Sequence, residues 1–262
     1  MFGKHCKRGE DKECFFKALK SKKQIAIADR EHELVRLAVN LVAEGGYANL
    51  TMDKLAAASP YSKGTVYNHF CSKEDVIAAF AILALKKNIN LFQKALSFEG
   101  NSREKLVAFH VAYNTFFSLE PVLSNCVLVC KSPWVKEKAS SERMAQMNEL
   151  DDTLVASADS LVTQAVQQGA LSLSQAASTD TIVFGNWALA FGANSLINSA
   201  RNATCIERVQ DPYTVLNVVN MLLDGMGWKP LSSEHDYRKT WRRAEQELFS
   251  EELKVLKERT LI

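Results

Sequence analysis

Proline and glycine are both scarce in this sequence, at five and eleven of 262 residues. A β architecture rich in tight turns would need more of both, so long helices are the easier expectation. No apolar stretch approaches the roughly 18 residues that span a bilayer. The longest candidate, Thr181 to Ala193, is short and carries Asn186. The N-terminus is charged but has no apolar segment of secretory type, so no export signal is expected. Six cysteines are present without a dense spacing framework, which suggests free thiols in a reducing cytoplasm. No GxSxG element, phosphate-binding glycine loop or metal-ligand cluster occurs, and isolated His, Ser and Asp residues carry no local catalytic signature. The reading is therefore a protein that is not an enzyme and that needs no cofactor or metal.

What is present is 47% apolar residues, enough for a substantial core, and a net charge of only +2. That charge is unevenly spread. Residues 1–73 hold 13 Lys and Arg against 8 Asp and Glu, whereas residues 74–262 hold 19 against 22. Eight of the first thirteen cations lie within the first 23 residues. Residues 1–24 are polar and basic, and read either as a disordered or loosely helical extension or as a basic arm for phosphates or a minor groove.

From Asp29 the apolar spacing turns helical. Asp29 is a suitable N-cap, Leu34, Ala38, Leu41 and Val42 form a stripe, and Gly45-Gly46 provides the stop. Thr51 caps a second helix. A third runs from about Ser62 to Phe70, with Val66 and Phe70 pointing inward together. Ser72 and Asp75 then open a long fourth helix, roughly residues 73–97, by a capping-box-like spacing. Helical periodicity continues to the end of the chain. Gly169 ends one long helix, Asp180 starts another, Asp211-Pro212 opens a third, and an amphipathic helix with Trp241, Ala244, Leu248 and Val255 closes the chain. The class is all-α, with about ten helices. The expected organisation is a basic extension (1–24), a three-helix helix-turn-helix domain (25–75), a larger helical domain (76–230) and a C-terminal amphipathic helix (231–262).

The segment Leu50–Asp75 carries the chemistry. Two short helices around a tight turn form a helix-turn-helix, and an α-helix fits the major groove of DNA. Asn68 can bond adenine bidentately, Lys63 can reach a guanine edge or a phosphate, and Thr65 offers a hydroxyl and a methyl. Gly64 removes a side chain where helix and DNA backbone would collide. Tyr67, His69, Lys73 and Thr51 suit phosphates.

The run Lys63-Gly64-Thr65-Val66-Tyr67, the aromatic Phe70 and Ser72-Lys73-Glu74-Asp75 closely resemble the DNA-reading element of the TetR family of transcriptional repressors. The resemblance is specific over about residues 29–85 and is one of architecture beyond. It implies that Thr51, Ser62, Lys63, Thr65, Tyr67, Asn68 and Lys73 face double-stranded DNA. One departure stands out: Pro60-Tyr61 occupies the turn where the family places glycine and an aliphatic residue. The turn must then avoid positive φ, and Tyr61 becomes a further candidate for phosphate contact.

The resemblance also implies a homodimer on a palindromic operator, joined through helices near 180–200 and 212–226, and an aromatic effector cavity in the larger domain. Phe109, His110, Tyr113, Phe117, Trp134, Asn186 and Trp187 are the candidates for contact with a small-molecule effector, against the plainer reading of aromatics as core. Cys126 and Cys130, four apart, read as ordinary buried thiols, or as a thiol sensor or half a metal site. The function expected is a ligand-released repressor in the cytoplasm. The alternative is a chromosome-organising protein of the same fold without an inducer.

Overall fold

The computed structural model describes the backbone of residues 8–174, 177–209 and 211–260, with side chains from Lys22 onward. Thirteen helices and no strand occur among the described residues. The chain divides into two compact units, Met1–Val76 and Ile77–Ile262.

The first unit contains α1 (Arg8–Asn49), α2 (Met52–Ala58) and α3 (Lys63–His69). The helix expected to start at Asp29 starts instead at Arg8, so Asp29 lies inside it and caps nothing. The intervening Lys-, Glu-, Ala- and Leu-rich sequence holds no proline, and such residues propagate a helix once it has begun. The expected basic arm falls largely on residues whose side chains lie outside the description. The stop at Gly45-Gly46 is real: Gly45 leaves helical geometry (φ −143°, ψ 19°) and Gly46 has φ 67°, a conformation that suits glycine. Leu34, Ala38, Leu55, Val66 and Phe70 are fully buried and form the core of this unit.

Local caps set the ends of the two short helices. Thr51 accepts from the Lys54 amide at 3.1 Å and Ser62 from the Thr65 amide at 3.2 Å. The Pro60 turn is built without any positive φ outside glycine. Ser59 is extended, and its hydroxyl both donates to Ala56 O (3.1 Å) and accepts from the Tyr61 amide (3.3 Å).

The helix α4 (Lys73–Leu96) begins in the first unit and continues into the second. It starts as expected, with Ser72 Oγ accepting from the Asp75 amide at 3.0 Å. The second unit continues with α5 (Ser102–Leu119), α6 (Pro121–Cys130), the single turn α7 (Pro133–Lys136), α8 (Ser141–Gln167), α9 (Thr179–Ser199), the short α10 (Thr204–Glu207), α11 (Thr214–Gly225), α12 (Tyr237–Leu248) and α13 (Ser250–Thr260). The count exceeds the expected ten because single-turn helices carry no periodicity to read, and because the closing amphipathic helix breaks at Phe249. That residue is fully buried and departs from helical geometry (φ −124°, ψ 20°). The cap of α9 is Ser178, not Asp180, which lies in the first turn.

α5 is the hub. Most of its residues from Ser102 to Phe117 are buried, and it packs against α6, α8, α9, α11, α12 and α13. An Asn101–Glu104 capping box opens it. Arg103, with no exposed surface, fastens it to the chain leaving α11: its guanidinium donates to Trp228 O (2.5 Å), Pro230 O (2.9 Å) and Asn220 Oδ1 (3.1 Å), pairs with Asp224 (2.7 Å) and stacks on Tyr237. A buried guanidinium is tolerable only when so fully satisfied.

Candidate helix-turn-helix face and apolar cavity

α3 has two opposed faces. Val66 and Phe70 have no exposed surface, whereas Ser62, Lys63, Gly64, Tyr67 and Asn68 are exposed. One helical turn thus separates a packing edge from a row of polar and small side chains. Thr51 is also exposed, and Thr65 and Lys73 are partly so. Lys63 pairs with Asp53 at 2.6 Å, and its ammonium lies 5.7 Å from the Tyr67 ring centroid. Both side chains of that pair are well exposed, so the pairing is a weak one that a phosphate can displace. The Asp53 carboxylate, chiefly through its hydrogen bond, raises the Lys63 pKa, and the side chain remains cationic. The Thr65 hydroxyl contacts Ser62 Oγ at 2.9 Å, which leaves its methyl as the free group.

Two expected DNA-facing residues are turned elsewhere. The Tyr61 hydroxyl donates to Glu33 Oε2 of α1, and the Arg30 guanidinium sits 5.3 Å from its ring. The His69 side chain is only 7% exposed and points to Glu31 at 3.7 Å. Both serve the packing of the turn and of α3 against α1. The reason is tertiary: carboxylates one helical turn apart on α1 offer these polar tips a closer partner than solvent.

Gly64 is informative in another way. A Cβ there would meet only Ser62 Oγ at 3.9 Å, an ordinary contact. Nothing inside the protein demands glycine at this exposed position.

In the second unit, α4, α5, α6, α8 and α9 enclose an apolar cavity of about 340 Å³, within the size range of small-molecule sites. Five of the seven sequence candidates line it: Phe109, His110, Tyr113, Asn186 and Trp187. Two do not. Phe117 is fully buried core, one turn beyond Tyr113, and packs on Tyr113 and Phe191 with ring centroids 5.1 and 5.8 Å away. Trp134 sits on α7, 41% exposed, away from the cavity wall.

His110 Nε2 lies 3.1 Å from Asn186 Oδ1, while Asn186 Nδ2 donates to Ile182 O in its own helix at 2.9 Å. Burial lowers the His110 pKa to about 4, so the imidazole is neutral near neutral pH and donates to the amide. Burial likewise pushes the Tyr113 phenol far up, against a smaller opposing effect of a hydrogen bond with Trp187. Sequence reasoning missed four polar groups of the lining: Asn88, the Lys131–Asp151 pair (2.5 Å), Asp159 and Asp180. A signal for Asn88 existed. It is a polar residue within the apolar stripe Leu85, Leu91 and Phe92, buried to 2% exposure.

The cysteine pair is closed to chemistry of its own. Cys126 and Cys130 are buried with their sulfurs 3.1 Å apart, and Cys130 donates to Ile77 O at 3.1 Å. The hydrogen bond with Cys126 and burial both push the Cys130 thiol far up. No group of side chains suited to a metal occurs among the described residues, and none of their helices is long and apolar enough to cross a membrane.

Comparison with known proteins follows this division. Residues 34–80 match the family profile described as "Bacterial regulatory proteins, tetR family". A fatty acid metabolism regulator protein of Bacillus subtilis is 23% identical over 137 residues, 52% of this chain and 68% of that protein. An uncharacterized HTH-type transcriptional regulator of Mycobacterium tuberculosis is 38% identical over 58 residues, 22% of this chain but only 29% of that protein. Among solved structures, a TetR/AcrR-family regulator from Thermobifida fusca aligns with TM-score 0.57 and 20% identity, covering 75% of this chain and 98% of that one. The transcriptional regulator FadR of Bacillus subtilis in complex with stearoyl-CoA aligns with TM-score 0.56 and 15% identity, covering 76% and 98%. These structural likenesses are likenesses of fold. The helix-turn-helix domain is therefore that of the TetR family of bacterial regulatory proteins, and the rest of the chain shares the helical fold of such regulators.

Proposed function

We propose that this chain is a ligand-responsive transcriptional repressor that binds a palindromic DNA operator as a homodimer and leaves it when a small molecule enters the α4–α9 cavity. The observation that carries this reading is the two-faced α3. Ser62, Lys63, Gly64, Tyr67 and Asn68 stand exposed on one side of a helix whose other side is fully buried. The unforced glycine at position 64 supports it, because the demand for a small residue then comes from outside the chain. Asn68 reads adenine, the Thr65 methyl meets thymine, and Lys63, Tyr67, Thr51 and Lys73 hold phosphates.

One such reader makes few contacts, and two related by a twofold axis reach successive major grooves about 34–36 Å apart. α9 and α11 pack together and still present Phe184, Leu196 and Met221, 51 to 72% exposed, as an apolar surface for a second copy. The cavity favours a regulator over an inducer-free chromosome-organising protein, which would gain nothing from an enclosed apolar space in its core. Release is a population shift: a ligand that binds better to a state with the readers out of register draws the dimer from DNA. That one relative of this fold was solved with stearoyl-CoA supports a ligand role for the larger domain.

The test is fluorescence anisotropy at fixed near-physiological salt, comparing a selected palindromic site with scrambled DNA. A preference of about 10³ or more is expected, as for specific readers. A ratio near ten would sink the operator reading and favour the structural one.

A further inference from the structure

The cavity described above is not electrically neutral. Lys131 is the one basic side chain of its lining, and it is already paired with Asp151 at 2.5 Å. Asp159 and Asp180, from α8 and the first turn of α9, have no ion pair or hydrogen bond to answer them among the described residues. The remaining titratable groups of the wall, His110 and Tyr113, are both held neutral by burial. Three carboxylates thus face one ammonium around a mostly apolar space, where weak screening lengthens the reach of charge.

A second observation is independent of those carboxylates. Asn88, on α4, forms part of the cavity wall at 2% exposure, and its Oδ1 has no hydrogen-bond partner. The other buried amide of the wall, Asn186, is satisfied by His110 and Ile182. A buried carbonyl left unpaired costs free energy that a donor would recover. The group that completes the wall therefore carries an N–H or O–H, which a carboxylate or a thioester lacks. Around it stand aromatic faces, with the Phe92 and Phe109 centroids 4.5 Å apart and Tyr113 6.1 Å from Phe92, and Trp187 beside them. Such faces attract cations when water is excluded.

We propose that this cavity takes a lipophilic cation, an ammonium-type nitrogen on an apolar body, whose N–H satisfies Asn88 and whose charge is balanced by Asp159 and Asp180. This rests on the reading of the cavity as the effector site and gives it a ligand class. A polyanionic acyl-CoA is excluded by the same charges, whatever other proteins of this fold bind.

The experiment is a matched series on the full chain: decylammonium, 1-decanol, decanoate and decanoyl-CoA, by isothermal titration at pH 7.4 and fixed salt, below their aggregation thresholds. Decylammonium is expected to bind about tenfold tighter than decanol, a difference of about 1.4 kcal/mol, with decanoate weaker than decanol. In the Asp159→Asn/Asp180→Asn variant the ammonium-to-alcohol ratio is expected to fall to about one. Should that variant fail to fold, Asp159→Asn alone and the salt dependence of the wild-type ratio decide the same point. If Asp180 serves only the positive end of α9, the variants lose stability while the ratio stays at ten, and the assignment is overturned. Equal affinity for decylammonium and decanol, or tightest binding of decanoate or decanoyl-CoA, overturns the cationic class and leaves the effector cavity standing. Binding of none at 1 mM overturns the effector cavity itself, and the cationic ligand with it.

Discussion

The helix-turn-helix and the cavity solve opposite problems with the same helices. In α2 and α3, seven residues each, the functional side chains stand in solvent, and only Leu55, Val66 and a neighbouring Phe70 are buried. Caps two or three residues away hold the geometry. In the cavity the functional side chains are contributed by helices up to a hundred residues apart, and they work because they are buried. The lesson concerns what each site can tolerate. Exposed readers can be changed without touching stability, whereas cavity residues carry function and stability together.

The sharpest way to break that comparison is to strike the cavity unit at its fastening. Arg103→Ala removes a fully buried cation bonded to Trp228, Pro230, Asn220 and Asp224. The expected loss in urea unfolding is about 3–5 kcal/mol, because Asp224 and the carbonyls lose their partner. A loss below about 1 kcal/mol would mean that water replaces the guanidinium at no cost.

Acid should act on the same unit. The folded His110 pKa is lowered to about 4 against an ordinary 6.5. Below pH 6.5 the unfolded chain therefore takes up a proton that the folded chain refuses. Stability falls as pH drops from 6.5 to about 4 and then levels off, by up to about 3 kcal/mol. Comparing wild type with His110→Gln at pH 7.5 and 4.5 isolates this contribution. An identical pH dependence in both would show that His110 is not held neutral.

At the reader the expected effects are smaller and of another kind. Asn68→Ala should cost about 1–3 kcal/mol of discrimination at one base pair and shift stability by less than about 0.5 kcal/mol. Unchanged base preference would mean that the recognition face is placed wrongly. Gly64→Ala sharpens the contrast furthest, since its two readouts move in opposite directions. Fold stability should rise by up to about 1 kcal/mol through helix propensity, because a Cβ meets nothing closer than 3.9 Å. Affinity for operator DNA should fall. A variant that gains stability and keeps its affinity would remove the argument for close backbone approach.

The all-α class, the end of the first helix at Gly45-Gly46, the caps Thr51, Ser62 and Ser72, and the inward pair Val66 and Phe70 were all legible in the sequence. Periodicity, capping and glycine conformation act within one or two helical turns, so the residues responsible lie next to one another in the chain. Five cavity residues were legible for a weaker reason, their aromatic or polar character at helical spacing. Other features were decided only by packing. Tyr61 and His69 turn from solvent to Glu33 and Glu31 because α1 brings carboxylates beside them. Phe117 becomes core and Trp134 surface because the cavity ends one turn short of the first and does not reach the second. The unpaired carbonyl of Asn88 and the balance of charge around the cavity come into being only when α4, α5, α8 and α9 meet. Hydrogen-bond satisfaction and local dielectric belong to an assembled environment, and no window of sequence contains one.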